Sequence, residues 1–473
     1  MSQTNLIYNV EDKPSWGKTI IFALQQLLAI LDATITVPAV IGHGMSPAAA
    51  LFGAGVGTLV YLIFTKFKSP VFLGSSFAFL GSMSAAFAGA VSMSVGYLGL
   101  IIGAAAAGLV YAIIALIVKI VGTNWINKIM PAVVIGPTVS IIGLSLAGNA
   151  VSDLLKGSYY VINDVGESVL ATNMWIALAV GLFTLLCTIN ASIFGTKFMK
   201  MIPFVFGIAV GYILASIFTG IGWLAGNDAL KVIDFGKFQN IEWYPNFTFL
   251  TAFNGQYDFG EFGNFGAYLG TIIVAYVPVA FVVFAEHIAD HKNLGSIIDR
   301  DLLTNPGLHR TLLGDGIGSA AGALFGGCPN TTYGESVGTV AISGNASIRT
   351  IFVTSIMAMV LAFVGPFSTF LATIPSCVMG GVCVALYGFI AVSGLKMIQK
   401  TDLGDNRNLF VVSVILITGV GGLVLNIGKV TITAVACALL LGIIVNFISH
   451  FKKKGQDEEG NMFEEQVKEG EQQ

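Results

Sequence analysis

The sequence is dominated by long apolar runs, at 19–40, 98–121, 174–189, 272–285, 351–373, 409–425 and 430–448 among others. A helix needs roughly 20 mainly apolar residues to cross the hydrocarbon core of a bilayer, and each run is that long or nearly so. Of the 473 residues, 55% are hydrophobic and only 10% are charged, whereas soluble domains carry about 25% charged residues. A water-soluble fold of this length has no polar exterior to cover so much apolar surface. The fold class that follows is an all-α polytopic membrane protein.

About 14 spanning or half-spanning segments are expected, near 18–39, 47–65, 71–90, 94–120, 131–149, 174–193, 201–224, 267–289, 310–326, 331–344, 349–373, 375–398, 408–426 and 429–450. Cytoplasmic loops carry the Lys and Arg excess in such proteins. With both termini cytoplasmic, this count puts 19 basic residues inside and four (Lys156, Lys231, Lys237 and Lys429) outside. A wrong count in the middle of the chain would scramble that split.

The long loop 225–265 is aromatic and leans acidic, with Asp228, Asp234, Glu242, Asp258 and Glu261, and it falls outside. It divides the chain into two sets of seven segments, 18–224 and 266–450. Seven is odd, so the halves enter from opposite sides, the arithmetic of an inverted repeat. Residues 1–17 are polar, lack the pattern of a cleavable signal and are expected in the cytoplasm, as is the charged, disordered tail 451–473. The five cysteines (Cys187, Cys328, Cys377, Cys383 and Cys437) show no CxxC spacing and read as buried thiols, neither metal ligands nor a disulfide frame.

The third segments of the two halves are both interrupted. One begins Ser69-Pro70-Val71-Phe72-Leu73-Gly74-Ser75-Ser76-Phe77, the other Gly327-Cys328-Pro329-Asn330-Thr331-Thr332-Tyr333-Gly334-Glu335. Each sets Pro before β-prone and hydroxyl residues and then an aromatic beside a small residue. Pro and Gly also kink ordinary membrane helices. A matched pair of interruptions, however, is the best sequence pointer to a transporter binding site, because extended backbone at membrane depth must be buried in protein or line a cavity.

Ionisable residues inside spans are costly and default to function; Asp32, Glu286, Asp290, Asp315 and Glu335 stand out. Glu286 and Asp290 are four apart and share a helix face. Two such carboxylates in low dielectric do not both ionise easily, so the pair can hold a proton near neutral pH; the alternative is that Asp290 is simply the first cytoplasmic residue. Asp32 is a candidate for proton coupling with no partner assigned, Asp315 reads more as a helix-packing acid, and His287 and His309 are weaker candidates. No Walker A loop, dinucleotide-binding glycine loop or metal-ligand spacing occurs. The chain is therefore not read as an enzyme; no catalytic residue, metal or cofactor is expected, and pumping by ATP hydrolysis is not assigned to it.

These residues together resemble the nucleobase–ascorbate transporter (nucleobase:cation symporter) family on its bacterial uracil permease branch. The resemblance runs from Ala23-Leu24-Gln25-Gln26-Leu27 to the last helix, through Leu73-Gly74-Ser75-Ser76-Phe77-Ala78-Phe79, Ala285-Glu286-His287-Ile288, Gly314-Asp315-Gly316, Pro329-Asn330-Thr331-Thr332-Tyr333-Gly334-Glu335 and Leu386-Tyr387-Gly388. It implies a core domain of segments 1–4 and 8–11, a gate domain of segments 5–7 and 12–14, and short antiparallel strands in segments 3 and 10. It also implies that Glu286 and Glu335 bind ring N–H groups, that backbone N–H groups at Phe77 and Gly334 hold ring oxygens, and that Tyr333 and Tyr387 line the pocket. Carboxylate acceptors and backbone donors suit a uracil-like ring.

The chain departs from the family pattern at several places. Gln25-Gln26 replaces a Gln-His pair, Asp32 replaces a Gly, Asp290 replaces a His, and Ser336 stands where the signature has Asn. The resulting expectation is a proton-coupled uracil importer of the cell membrane, with H⁺ as coupling ion through Glu286, Asp290, Glu335 and Asp32. Its expected partners are uracil, the bilayer and a second copy in a homodimer, with no nucleic acid. A xanthine or other nucleobase symporter of the same fold, an anion carrier or channel of similar architecture, and a non-transporting receptor remain as rivals.

Overall fold

The structure is a computed structural model that describes residues 6–122, 131–162, 168–196, 199–200, 202–239, 241, 243–399, 401–427 and 430–449. Glu242 and the expected tail 451–473 lie outside the described residues, as does the side chain of Asp32.

The first half of the chain runs α1 (Trp16–Ile41), α2 (Pro47–Phe64), β1 (Leu73–Ser75), a 3₁₀ turn (Phe77–Phe79), α3 (Leu80–Ala86), α4 (Met93–Val121), α5 (Ala132–Ser145), α6 (Ala147–Leu154), β2 (Tyr160–Ile162), β3 (Ser168–Leu170), α7 (Met174–Phe194) and α8 (Pro203–Ala225). After short turns and α9 (Thr248–Phe253), the second half runs α10 (Phe265–Ile298), α11 (Leu308–Gly326), β4 (Asn330–Thr332), α12 (Gly334–Ser343), α13 (Ile348–Leu361), α14 (Gly365–Thr373), α15 (Ser376–Ile398), α16 (Asn406–Val420), β5 (Leu425–Ile427), β6 (Val430–Ile432) and α17 (Ala434–Ser449). Polar side chains cap several starts: Ser46, Asn173, Asn264 and Asp405 each accept a first-turn N–H, at 2.9–3.2 Å.

Among the described residues, eight helices are long and apolar enough to cross a membrane, with α5 and α6 counted together, or nine if α13 and α14 form one broken span. The run 349–373 was expected as one segment. It is bent by 82° between α13 and α14, where Pro366 enters the first turn of α14 and cannot continue the preceding helix.

Several outer helix faces carry apolar stripes at helical spacing. Leu109, Ile113, Leu116 and Ile120 on α4, and Ile213, Ile217, Ile221 and Leu224 on α8, are all exposed. Contiguous apolar surface of this kind is stable against lipid, not water. Inside, α2 and α11 cross at glycines: a Cβ on Gly53 would lie 2.3 Å from the Gly322 carbonyl oxygen, and one on Gly57 2.7 Å from that of Gly318. Small residues allow backbones to approach this closely where lipid supplies no hydrophobic drive to associate.

Residues 6–15, ahead of α1, form a strap. Ile7 N–H donates to Gly344 O at 2.7 Å, Ala346 N–H to Tyr8 O at 2.9 Å and Ile348 N–H to Val10 O at 3.0 Å. Arg300 donates both guanidinium arms to Glu11, at 2.5 and 2.6 Å.

Candidate substrate cavity

The two interrupted segments meet. β1 pairs antiparallel with β4, Leu73 opposite Thr332, Gly74 opposite Thr331 and Ser75 opposite Asn330. Pro70 and Pro329 precede the strands and remove helical donors. Every residue of both strands is buried, so their polar backbone groups need partners inside the protein. Thr58 Oγ1 accepts the Leu73 N–H at 2.9 Å, Ser336 Oγ accepts the Phe72 N–H at 3.0 Å, and the Ser76 N–H donates to Pro329 O at 2.9 Å. Asn330 Nδ2 donates to Gly53 O at 3.2 Å, tying β4 to α2.

Where the strands end, helices begin on both sides of a cavity of about 330 Å³, within the size range of small-molecule sites. Ser76, Phe77 and Ala78 line it after β1; Thr331 to Glu335 line it from β4 and α12; Glu286 and Asp290 line it from α10. The far wall is apolar, Val139 and Ile142 of α5 with Leu386, Phe389, Ile390 and Met397 of α15, relieved by Ser393. Phe77 and Gly334 open helical turns, and N–H groups in a first turn have no carbonyl one turn behind them. Glu286 is half-buried, while Glu335, in the first turn of α12, is exposed to the cavity. Among the described residues, no Lys or Arg lines the cavity.

Asp290 is half-buried on the cavity wall, where Thr332 Oγ1 donates to its Oδ2 at 2.8 Å. A Cβ added at Gly334 would meet only Asp290 Oδ1, at 3.9 Å, so the glycine keeps the approach to the α12 backbone open. Tyr333 lines the cavity and also clamps the strands: its hydroxyl donates to Ser75 O at 2.7 Å, and its ring covers Gly74. Tyr387 departs from expectation. It is buried behind Phe77, ring centroids 6.1 Å apart at 78°, and is not among the lining residues. The cavity face of α15 is 386, 389, 390, 393 and 397, centred on the i, i+4, i+7, i+11 stripe from 386, and residue 387 lies about 100° round the helix from 386, on the side away from 389.

His287 and Asp315, neither assigned to the site from sequence, are bonded to each other. His287 Nδ1 lies 2.7 Å from Asp315 Oδ2, and its Nε2 lies 2.9 Å from Thr311 Oγ1. His291 stacks on His287 at 4.0 Å and is 2.7 Å from the Tyr61 hydroxyl, which itself donates to Ser69. The cysteines among these elements are free thiols.

A family model described as Permease family matches residues 17–428. The chain is 36% identical to a uracil permease of Bacillus caldolyticus, over 97% of this chain and 98% of that protein. It is also 36% identical to a uracil permease of Bacillus subtilis, over 96% and 98%. The transmembrane domain of the cyanobacterial bicarbonate transporter BicA superposes with a TM-score of 0.59 at 15% identity, covering 94% of this chain and all of that one, a likeness of fold alone. A polytopic membrane chain with paired broken segments, matched over nearly its whole length, is a member of the permease family.

Proposed function

We propose that this protein imports uracil across the cell membrane together with protons. The observation that carries the reading is the convergence of two carboxylates, Glu286 and Glu335, and two helix starts, at Phe77 and Gly334, on one cavity, in a chain 36% identical to uracil permeases. Uracil offers two ring N–H donors and two carbonyl acceptors, and the site offers carboxylate acceptors and backbone N–H donors in return. A buried donor left unmatched is expensive, so this complementarity gives selectivity. The apolar wall of α5 and α15 suits the C–H edge of the ring. Among the described residues an anion meets three acids and no lining Lys or Arg here, which disfavours an anion carrier despite the shared fold.

In this reading Glu286 and Glu335 hold the ring, Tyr333 shapes the floor, and Asp290 tunes the protonation of Glu286, with Asp32 as a further coupling candidate. The remaining parts of the reading are 14 segments as a seven-plus-seven inverted repeat, a core of segments 1–4 and 8–11 against a gate of 5–7 and 12–14, both termini in the cytoplasm, and a homodimer. The direct test is uptake of labelled uracil by proteoliposomes under an imposed pH gradient, with competition by purines. Uptake that depends on the gradient and resists xanthine supports the reading; preferred xanthine uptake, or none of either, overturns it.

A further inference from the structure

Gln26 on α1 and Ser336 on α12 are in contact although they are 310 residues apart in sequence. The β1–β4 ladder has three pairs and ends at Leu73 opposite Thr332. Beyond Thr332 the chain turns into α12, so no strand carbonyl lies opposite the Phe72 N–H. A buried N–H must find a partner. Ser336 Oγ supplies it at 3.0 Å, and Gln26 Nε2 donates to the same oxygen. Phe72, Gln26 and Ser336 are all buried, at no more than 3% exposure, so water cannot replace either bond.

The clasp bears on the cavity from behind. Ser336 directly follows Glu335, and Phe72 immediately precedes β1, which delivers Ser76 and Phe77 to the cavity. Any slip between Phe72 and Ser336 is passed on to the gap between the Phe77 and Gly334 helix starts. We propose that Ser336, oriented by Gln26, is a positioning residue that sets the spacing of these two helix starts and thereby the fit of the substrate between them. The inference rests on the uracil-transport reading above and deepens it.

The test is uracil KM and Vmax per folded transporter in proteoliposomes, with the melting temperature of the substrate-free protein, for Ser336→Ala, Gln26→Leu, the double variant and Ser336→Thr. Ser336→Ala is expected to raise KM about tenfold with Vmax within about twofold, and Gln26→Leu to raise it by a smaller factor. The double variant should be no worse than Ser336→Ala, because both remove one shared interaction. Ser336→Thr keeps the hydroxyl and should recover most of the affinity. If Ser336→Ala yields no folded protein, the KM of Gln26→Leu decides, since it leaves the Phe72 bond in place. An unmoved KM with a lowered melting temperature, or strictly additive KM changes, would overturn the proposal. If the unsubstituted protein carries no uracil, the transport reading fails and this inference with it; uracil uptake with unmoved KM in the variants sinks this inference alone.

Discussion

Helix α10 carries four ionisable side chains within six positions, and its two faces treat them differently. Glu286 and Asp290 look onto the cavity. His287 and His291, each one residue further on and about 100° round the helix, are fully buried against α2 and α11. On the packed face each imidazole is placed by protein partners, Asp315 and Thr311 for His287, Tyr61 and the His287 carbonyl for His291. On the cavity face the carboxylates are presented to a space that a small molecule can enter. One face is therefore packed within the protein and the other lines the cavity proposed to take the substrate, so substitutions on the two faces should fail in different measurements.

The strongest way to break this division is to fill the space in front of the cavity face. Gly334→Val puts a branched side chain where even a Cβ already approaches Asp290 Oδ1 to 3.9 Å. It should abolish uracil uptake while leaving the amount of folded protein in the membrane nearly unchanged, as read by size-exclusion chromatography of a fluorescent fusion. Normal uptake by that variant would remove the cavity from the account.

Substitution on the packed face should show up as lost stability. Asp315→Ala leaves a buried ring nitrogen of His287 without its hydrogen-bond partner, which costs about 1–3 kcal/mol. The expected result is a marked fall in melting temperature and in yield. Unchanged stability with weakened uracil binding would mean that the two faces have been assigned the wrong way round.

Glu286→Gln sharpens the other side. It keeps size and removes a charge-assisted acceptor, so uracil binding in detergent should weaken at least tenfold, about 1.4 kcal/mol, at an unchanged melting temperature. Asp290→Asn should do less to binding. Exchange of uracil in counterflow should survive better than accumulation driven by a pH gradient, measured in the same liposomes; equal loss of both, or of neither, would leave Asp290 a structural partner of Thr332.

The smallest effect lies far from α10's cavity face, at the strap. The Arg300 fork beside Glu11 holds that carboxyl below its ordinary value of 4.5. A lowered folded-state value means the contribution to stability is present above 4.5 and disappears as pH falls through the lowered value. Both side chains are largely in solvent, 65% exposed for Glu11 and 38% for Arg300, so the pair contributes no more than about 1 kcal/mol. Glu11→Gln should lower the melting temperature slightly at pH 7 and not at all at strongly acidic pH. A large effect at pH 7 would give the strap a role that its exposure does not suggest.

The paired interruptions were legible because Pro and hydroxyl residues leave a local mark, whereas the short antiparallel strands there followed only from the family resemblance; the structure pairs β1 with β4. Glu286, Asp290 and Glu335 were legible because acids in apolar runs are conspicuous; the structure adds that they, Phe77, Tyr333 and Gly334 line one cavity. What sequence could not supply was rotation and long-range partnership. Leu386-Tyr387-Gly388 drew attention to Tyr387, yet the helix turns Leu386 and Ser393 to the cavity and Tyr387 behind Phe77. His287 and Asp315 are 28 residues apart on different helices, and no local spacing rule connects them. The bend between α13 and α14 did have a signal, in Pro366, but the unbroken hydrophobicity of 351–373 outweighed it.

Uracil-dependent proton entry into liposomes, compared between the unsubstituted protein and Glu286→Gln, tests the central claim most directly. If the cavity carboxylates of α10 carry the substrate together with its proton, a pulse of uracil acidifies the lumen of liposomes holding the unsubstituted protein, and the signal is lost in Glu286→Gln. Uracil entry without proton movement, or uracil-dependent acidification that persists undiminished in Glu286→Gln, would contradict it.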